Sequence, residues 1–95
     1  MATKKLSIVF LKNMTKIRIN IALKKGVLDT QGKAIENVLN KNLGYSQISN
    51  VRQGKFVELE LAETDAQQIK QIVEEICDKL LVNTVIETYT YQIIS

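Results

Sequence analysis

The chain has 95 residues, 45% of them apolar, and thirteen lysines and arginines against ten acids give a net charge of +3. This is an ordinary globular composition that leaves no room for a second domain and is too apolar for a disordered chain. There is no histidine and a single cysteine, Cys77, so an intramolecular disulfide is excluded and most self-sufficient catalytic constellations lack their residues.

No apolar run approaches the ~20 residues that a membrane-spanning helix needs, so no membrane partner is expected. Lys4 and Lys5 ahead of the apolar residues 6–11 imitate a signal peptide only in outline, because the apolar core is short and no small-residue cleavage site follows. A reducing, cytoplasmic setting is therefore expected. Residues 1–50 hold nine basic and two acidic side chains, whereas residues 51–95 hold four and eight. Such asymmetry fits a nucleic-acid arm, or basic and acidic elements that meet within the fold or across subunits. The basic residues stand singly or in pairs with no interleaved aromatics, so no nucleic acid is expected as a partner. A chain this short buries only roughly 60–65% of its unfolded surface, which makes oligomerisation a reasonable expectation.

Residues 1–13 stand apart, either as an addition ahead of a start at Met14 or as an extra edge strand over residues 6–11; residues 14–95 form the domain. From Lys16, Ile17, Ile19, Ile21 and Leu23 alternate with Lys16, Arg18, Asn20 and Ala22, the pattern of a strand with one buried face. Asp29 is placed to cap a helix whose apolar positions are Ile35, Val38, Leu39 and Leu43, and Gly44 supplies the left-handed residue that ends it. A short strand over residues 47–52 is expected next, turning at Gln53-Gly54 into a strand in which Val57, Leu59 and Leu61 alternate with Glu58 and Glu60. Thr64-Asp65-Ala66-Gln67 has the form of a capping box, opening a helix with Ile69, Ile72, Val73, Ile76 and Leu80 on one side. The β-branched and aromatic residues of 85–94 predict a last strand. The order strand-helix-strand-strand-helix-strand suits a two-layer, ferredoxin-like α+β sandwich, mainly antiparallel, with two helices on one face of the sheet. Lys16, Arg18 and Asn20 would then lie near Glu58 and Glu60 on the open face, a polar surface suited to a second subunit.

Candidate chemistry is sparse. Cys77 sits beside the buried stripe of the second helix, where a thiol without a cationic neighbour stays protonated and inert. Asp29 and Asp65 read as caps, Glu74, Glu75 and Asp78 as a solvated face, and Glu75 with Lys79 as a helical ion pair. No glycine-rich phosphate cradle is present, because Gly54-Lys55 runs on into Phe56. Arg52 and Lys55 are either solvated charges or partner contacts. Tyr89 and Tyr91 share a strand face and suit either core or interface, the interface being favoured because their rings are apolar and their hydroxyls can stay wet.

Three segments taken jointly carry a family likeness: Val27-Leu28-Asp29-Thr30-Gln31-Gly32-Lys33-Ala34, Val51-Arg52-Gln53-Gly54-Lys55, and Asn83-Thr84-Val85-Ile86-Glu87-Thr88-Tyr89. Over residues 14–94 the chain resembles the PurS family, the small subunit of phosphoribosylformylglycinamidine synthase. The family pattern more often has proline where Thr30 and Thr84 stand. The resemblance implies a non-catalytic subunit with no activity alone, associating with itself as a dimer or tetramer and joining a PurL-type synthetase to a PurQ-type glutaminase. It implies no cofactor or metal on this chain, with ATP and Mg used on the synthetase. It tips Arg52 and Lys55 toward partner contact, and with them Asp29, Gln31, Gly32, Gly54, Tyr89 and Tyr91 are the candidate interface residues. Two rival readings of the same fold are a small-molecule-sensing regulatory domain and a single-strand nucleic-acid binder.

Overall fold

The computed structural model describes residues 14–94; both expectations for residues 1–13 lie outside them. Among the described residues three strands form one antiparallel sheet: β1 (Thr15–Leu23), β2 (Gly54–Leu61) and β3 (Glu87–Ile93), with β1 in the centre. Helix α1 (Thr30–Asn37) lies between β1 and β2 in the chain, and α2 (Ala66–Ile76) between β2 and β3. The register pairs Ile19 with Val57 on one side and with Tyr91 on the other. The α+β, ferredoxin-like architecture is the expected one.

The alternation of β1 puts Ile17, Ile19 and Ile21 on the helix-covered face, where they are 0–2% exposed. Ile69, Val73 and Cys77 from α2 and its extension close over them, with Val82 at the margin, and Val57, Leu59, Leu61, Tyr89 and Tyr91 pack around the edge. Side chains of opposite parity form the other face, where Arg18 Nη2 lies 2.7 Å from Glu58 Oε2 and the register sets Lys16 opposite Glu60. The charged open face therefore takes the form the alternation predicts.

Both helices end in a wider turn, over Val38–Asn42 after α1 and Cys77–Leu81 after α2, closed by Leu43 N–H donating to Val38 O and Val82 N–H donating to Cys77 O, each at 3.0 Å. A turn of this kind adds a residue per repeat and slips the apolar stripe out of phase. Leu80, expected in the buried stripe, is consequently 81% exposed, and Cys77 and Val82 fill the core instead. Gly44 adopts the left-handed conformation expected of it, at φ +79. The second cap sits one residue later than the expected box: Asp65, not Thr64, accepts a bond from the helix, from Gln68 N–H at 3.0 Å.

One expected strand does not form. Residues 47–52 carry no strand because their amides are engaged elsewhere: Ile48 N–H closes a turn onto Tyr45 O, and Val51 N–H donates to Glu36 Oε1 at 3.0 Å. Asn50 also takes a positive φ of 57, which an amide side chain tolerates and a strand does not. Gln53-Gly54 is accordingly no hairpin turn. Gly54 opens β2, and glycine is required there because a Cβ would lie 2.7 Å from the Ile21 carbonyl oxygen. The last strand is shorter than the expected 85–94, since residues 84–86 form a turn.

Candidate functional site

The three segments that carry the family likeness converge at one end of the sheet. Strand pairing sets Ala22 opposite Gly54 and Leu23 opposite Glu87, and Ile21 has Lys55 on one flank and Tyr89 on the other. Lys55 Nζ reaches Glu87 Oε2 across the central strand at 3.6 Å, and the other carboxylate oxygen of Glu87 accepts the Asn83 N–H at 2.7 Å. Glu87 thus joins the third segment to the second.

Asp29 joins the first to the second. One oxygen of its carboxylate accepts Gly32 N–H at 2.9 Å, capping α1, and the other accepts Gln53 N–H at 2.6 Å. These two backbone donors, Gln53 foremost, hold the carboxyl below its ordinary range against the opposing effect of burial, and the Arg52 charge adds to them. Glu36, one helical turn beyond Gly32, is depressed in the same way, first by Val51 N–H and then by Lys33. Arg52 turns its guanidinium back onto the carbonyl oxygens of Leu23, Lys24 and Val27 at 3.2–3.4 Å, while its side chain remains exposed. Gly32 is buried, because any Cβ there would meet the Asp29 carboxylate and the Val51 carbonyl oxygen.

An open cleft of about 380 Å³ lies at this end, with Leu23 and Leu28 on its apolar side and Gln31, Gln53, Lys55 and Glu87 on its polar side. The candidate interface residues divide by placement. Asp29 and Gly32 are buried and shape the loop, whereas Gln31, Arg52, Gly54 and Lys55 are accessible. Tyr89 and Tyr91 are half-buried against the core edge, and burial raises the Tyr89 phenol above its ordinary value. The arrangement presents a shaped, hydrogen-bonded loop surface and holds no nucleophile beside a base. Cys77 is fully buried, with its pKa raised by burial and then by Asp78. Among the described residues, no three His, Cys, Asp or Glu side chains group as a metal site, and no helix is long and apolar enough to cross a membrane.

Three features escaped the sequence reading. The Glu36 bond to Val51 has no sequence signal, because it depends on two segments fifteen residues apart folding together. The role of Glu87 as a shared acceptor is equally nonlocal. Phe56 was legible from its parity: it lies in phase with Glu58 and Glu60, and it stands 59% exposed on the open face with Arg18 over its ring at 5.1 Å.

A family profile described as "PurS: Phosphoribosylformylglycinamidine (FGAM) synthase" matches residues 16–95. The phosphoribosylformylglycinamidine synthase subunit PurS of Bacillus subtilis is 40% identical over 80 residues, covering 84% of this chain and 93% of that protein. The PurS subunit of Synechocystis is 43% identical over 76 residues, 80% of this chain and 75% of its own. In three dimensions the chain is similar to the crystal structure of the Thermotoga maritima PurS subunit, with a TM-score of 0.77 at 31% identity, covering 85% of this chain and 92% of that one. It is also similar to a chain in the structure of PurLQS from T. maritima, with a TM-score of 0.78 at 31% identity over 85% and 98% of the two chains. Matched over nearly its whole described length in sequence and in fold, the chain belongs to the PurS family.

Proposed function

We propose that the chain is the non-catalytic small subunit of phosphoribosylformylglycinamidine synthase, acting in the cytoplasm in purine biosynthesis. In this reading it holds a PurQ-type glutaminase and a PurL-type synthetase in register, so that ammonia released from glutamine reaches the synthetase without escaping to solvent. The assembly converts formylglycinamide ribonucleotide, glutamine and ATP to formylglycinamidine ribonucleotide, glutamate, ADP and phosphate, with ATP and Mg bound on the synthetase. Keeping two active sites close is a proximity effect that a scaffold supplies without a reactive side chain. The observation that carries the reading is the similarity, across most of the chain, to PurS subunits and to a chain of the T. maritima PurLQS structure. The accessible face formed by Gln31, Arg52, Gly54 and Lys55 is the proposed contact with the larger subunits.

Reconstitution tests it. The purified chain alone should neither hydrolyse glutamine nor turn over ATP. Adding it to the two larger subunits should restore glutamine-dependent synthesis while leaving ammonia-dependent synthesis by the synthetase unchanged. Full glutamine-dependent activity without this chain would overturn the proposal.

A further inference from the structure

The open face of the sheet carries a cavity of about 340 Å³, separate in its lining from the charged rows around Arg18 and Glu58. Strand register explains it. Pairing sets Ala22 between Gly54 and Thr88, and the next row sets Asn20 between Phe56 and Thr90. The small side chains of the first row leave a hollow that the second row walls, and residues of both rows line it. Gly54 cannot be enlarged, because a Cβ there would lie 2.7 Å from the Ile21 carbonyl oxygen. The hollow is therefore built into the backbone.

Its walls carry recognition chemistry. Phe56 is 59% exposed, with the Arg18 guanidinium over its ring at 5.1 Å. Arg18 is held by Glu58 in the row beyond and does not line the cavity, so a cation caps one side of the ring and the side toward Gly54 stays open. Asn20 is half-buried, and its amide makes no hydrogen bond among the described residues. A side-chain amide offers an acceptor and donors in one plane, the pattern that reads the amino and ring-nitrogen edge of adenine. Thr88 and Thr90, exposed along β3, add hydroxyls that both donate and accept, as a sugar requires. The volume lies at the lower end of the range for small-molecule sites and suits one nucleoside better than a strand.

We propose that this cavity binds the adenine-type base and ribose of a nucleoside or mononucleotide. The base stacks on the open side of Phe56, its amino edge meets Asn20, and the ribose hydroxyls lie along Thr88 and Thr90. With one stacking ring and one amide-read edge the site is weak and reversible, with a dissociation constant on the order of 0.1–1 mM.

The test is calorimetric titration of the full chain with adenosine, AMP and inosine, with amide NMR shifts to locate the ligand. Adenosine and AMP should bind alike and shift Ala22, Thr88 and Thr90, whereas inosine, which lacks the 6-amino group, should bind about tenfold more weakly. Phe56→Ala should weaken adenosine about tenfold. Asn20→Ala should erase the preference over inosine, an effect that a merely structural role would not produce. Ala22→Leu, at an exposed position, should fill the hollow and abolish binding with the urea midpoint preserved. The proposal would be overturned by no saturable binding of adenosine, by equal affinity for inosine, by binding of AMP without adenosine, or by shifts confined to the cleft at the sheet end. Much tighter binding of an oligoadenylate than of AMP would also overturn it, by marking the face as a single-strand surface. None of these outcomes bears on glutamine-dependent synthesis, so the proposed function is tested separately.

Discussion

Replacing Gly32 by alanine should destabilise this protein, the reverse of what helix propensity predicts. Gly32 lies in the first turn of α1, and exchanging a helical glycine for alanine ordinarily gains up to about 1 kcal/mol. Here a Cβ would lie 2.6 Å from the Val51 carbonyl oxygen and against the Asp29 carboxylate. Neither neighbour can retreat freely. Val51 is held through its own N–H by Glu36 at 3.0 Å, and the Asp29 carboxylate is pinned between Gly32 N–H and Gln53 N–H. Overpacking of this kind costs roughly 1–3 kcal/mol, so the clash outweighs the propensity gain and the net loss should be about 0.5–2 kcal/mol. Urea denaturation at fixed protein concentration should show a lower midpoint with an unchanged slope. Ala34→Gly, at an exposed position two residues on, should also lose about 0.5–1 kcal/mol, so the same exchange destabilises in either direction. If Gly32→Ala raises the midpoint, the close approach of residue 51 to α1 is wrong.

Thr30→Pro should stabilise by about 0.4–1 kcal/mol, because Thr30 is the first helical residue and Asp29 before it is already extended, at φ −97 and ψ 90; a lower Tm in calorimetry would contradict this. Because Asp29 and Glu36 both have pKa values lowered in the fold, their contribution is present above the unfolded carboxylate range near pH 4 and is lost as the pH falls through the folded values. The Val51 and Gln53 amides should therefore lose hydrogen-exchange protection in acid before the β1 amides do, and simultaneous loss would argue against this linkage. Cys77 should react with a thiol reagent at the rate of global opening, given its full burial and raised pKa; rapid labelling of the native protein would show the core to be misassigned.

Local patterns in the sequence were enough for β1, β2 and α2. The alternation from Lys16 to Leu23 and the stripe from Ile69 to Ile76 each repeat one period for long enough to specify element and buried face together. The cap at Asp29 was readable for the same reason, since a cap involves only the next three residues, whereas the box expected at Thr64 falls one residue short of the actual cap, Asp65. The stretch 47–52 has composition compatible with a strand, but its amides are claimed by Glu36 and by turns, and that competition is decided by segments distant in sequence. The exposed side of α1 illustrates the same limit, because periodicity shows that Ile35, Val38 and Leu43 share a side but not what lies against it.

From residue order came the family, the α+β class, the parity of each strand and the scarcity of reactive side chains, all properties of short-range pattern and composition. The packed chain alone revealed that Asp29, Glu36 and Glu87 bind three separate segments into one end of the sheet, and that among the described residues Ile35, Val38 and Leu43 are left exposed. Those outcomes depend on which backbone donors and apolar side chains meet across many residues of intervening chain, where each hydrogen bond or contact made by one segment is denied to another.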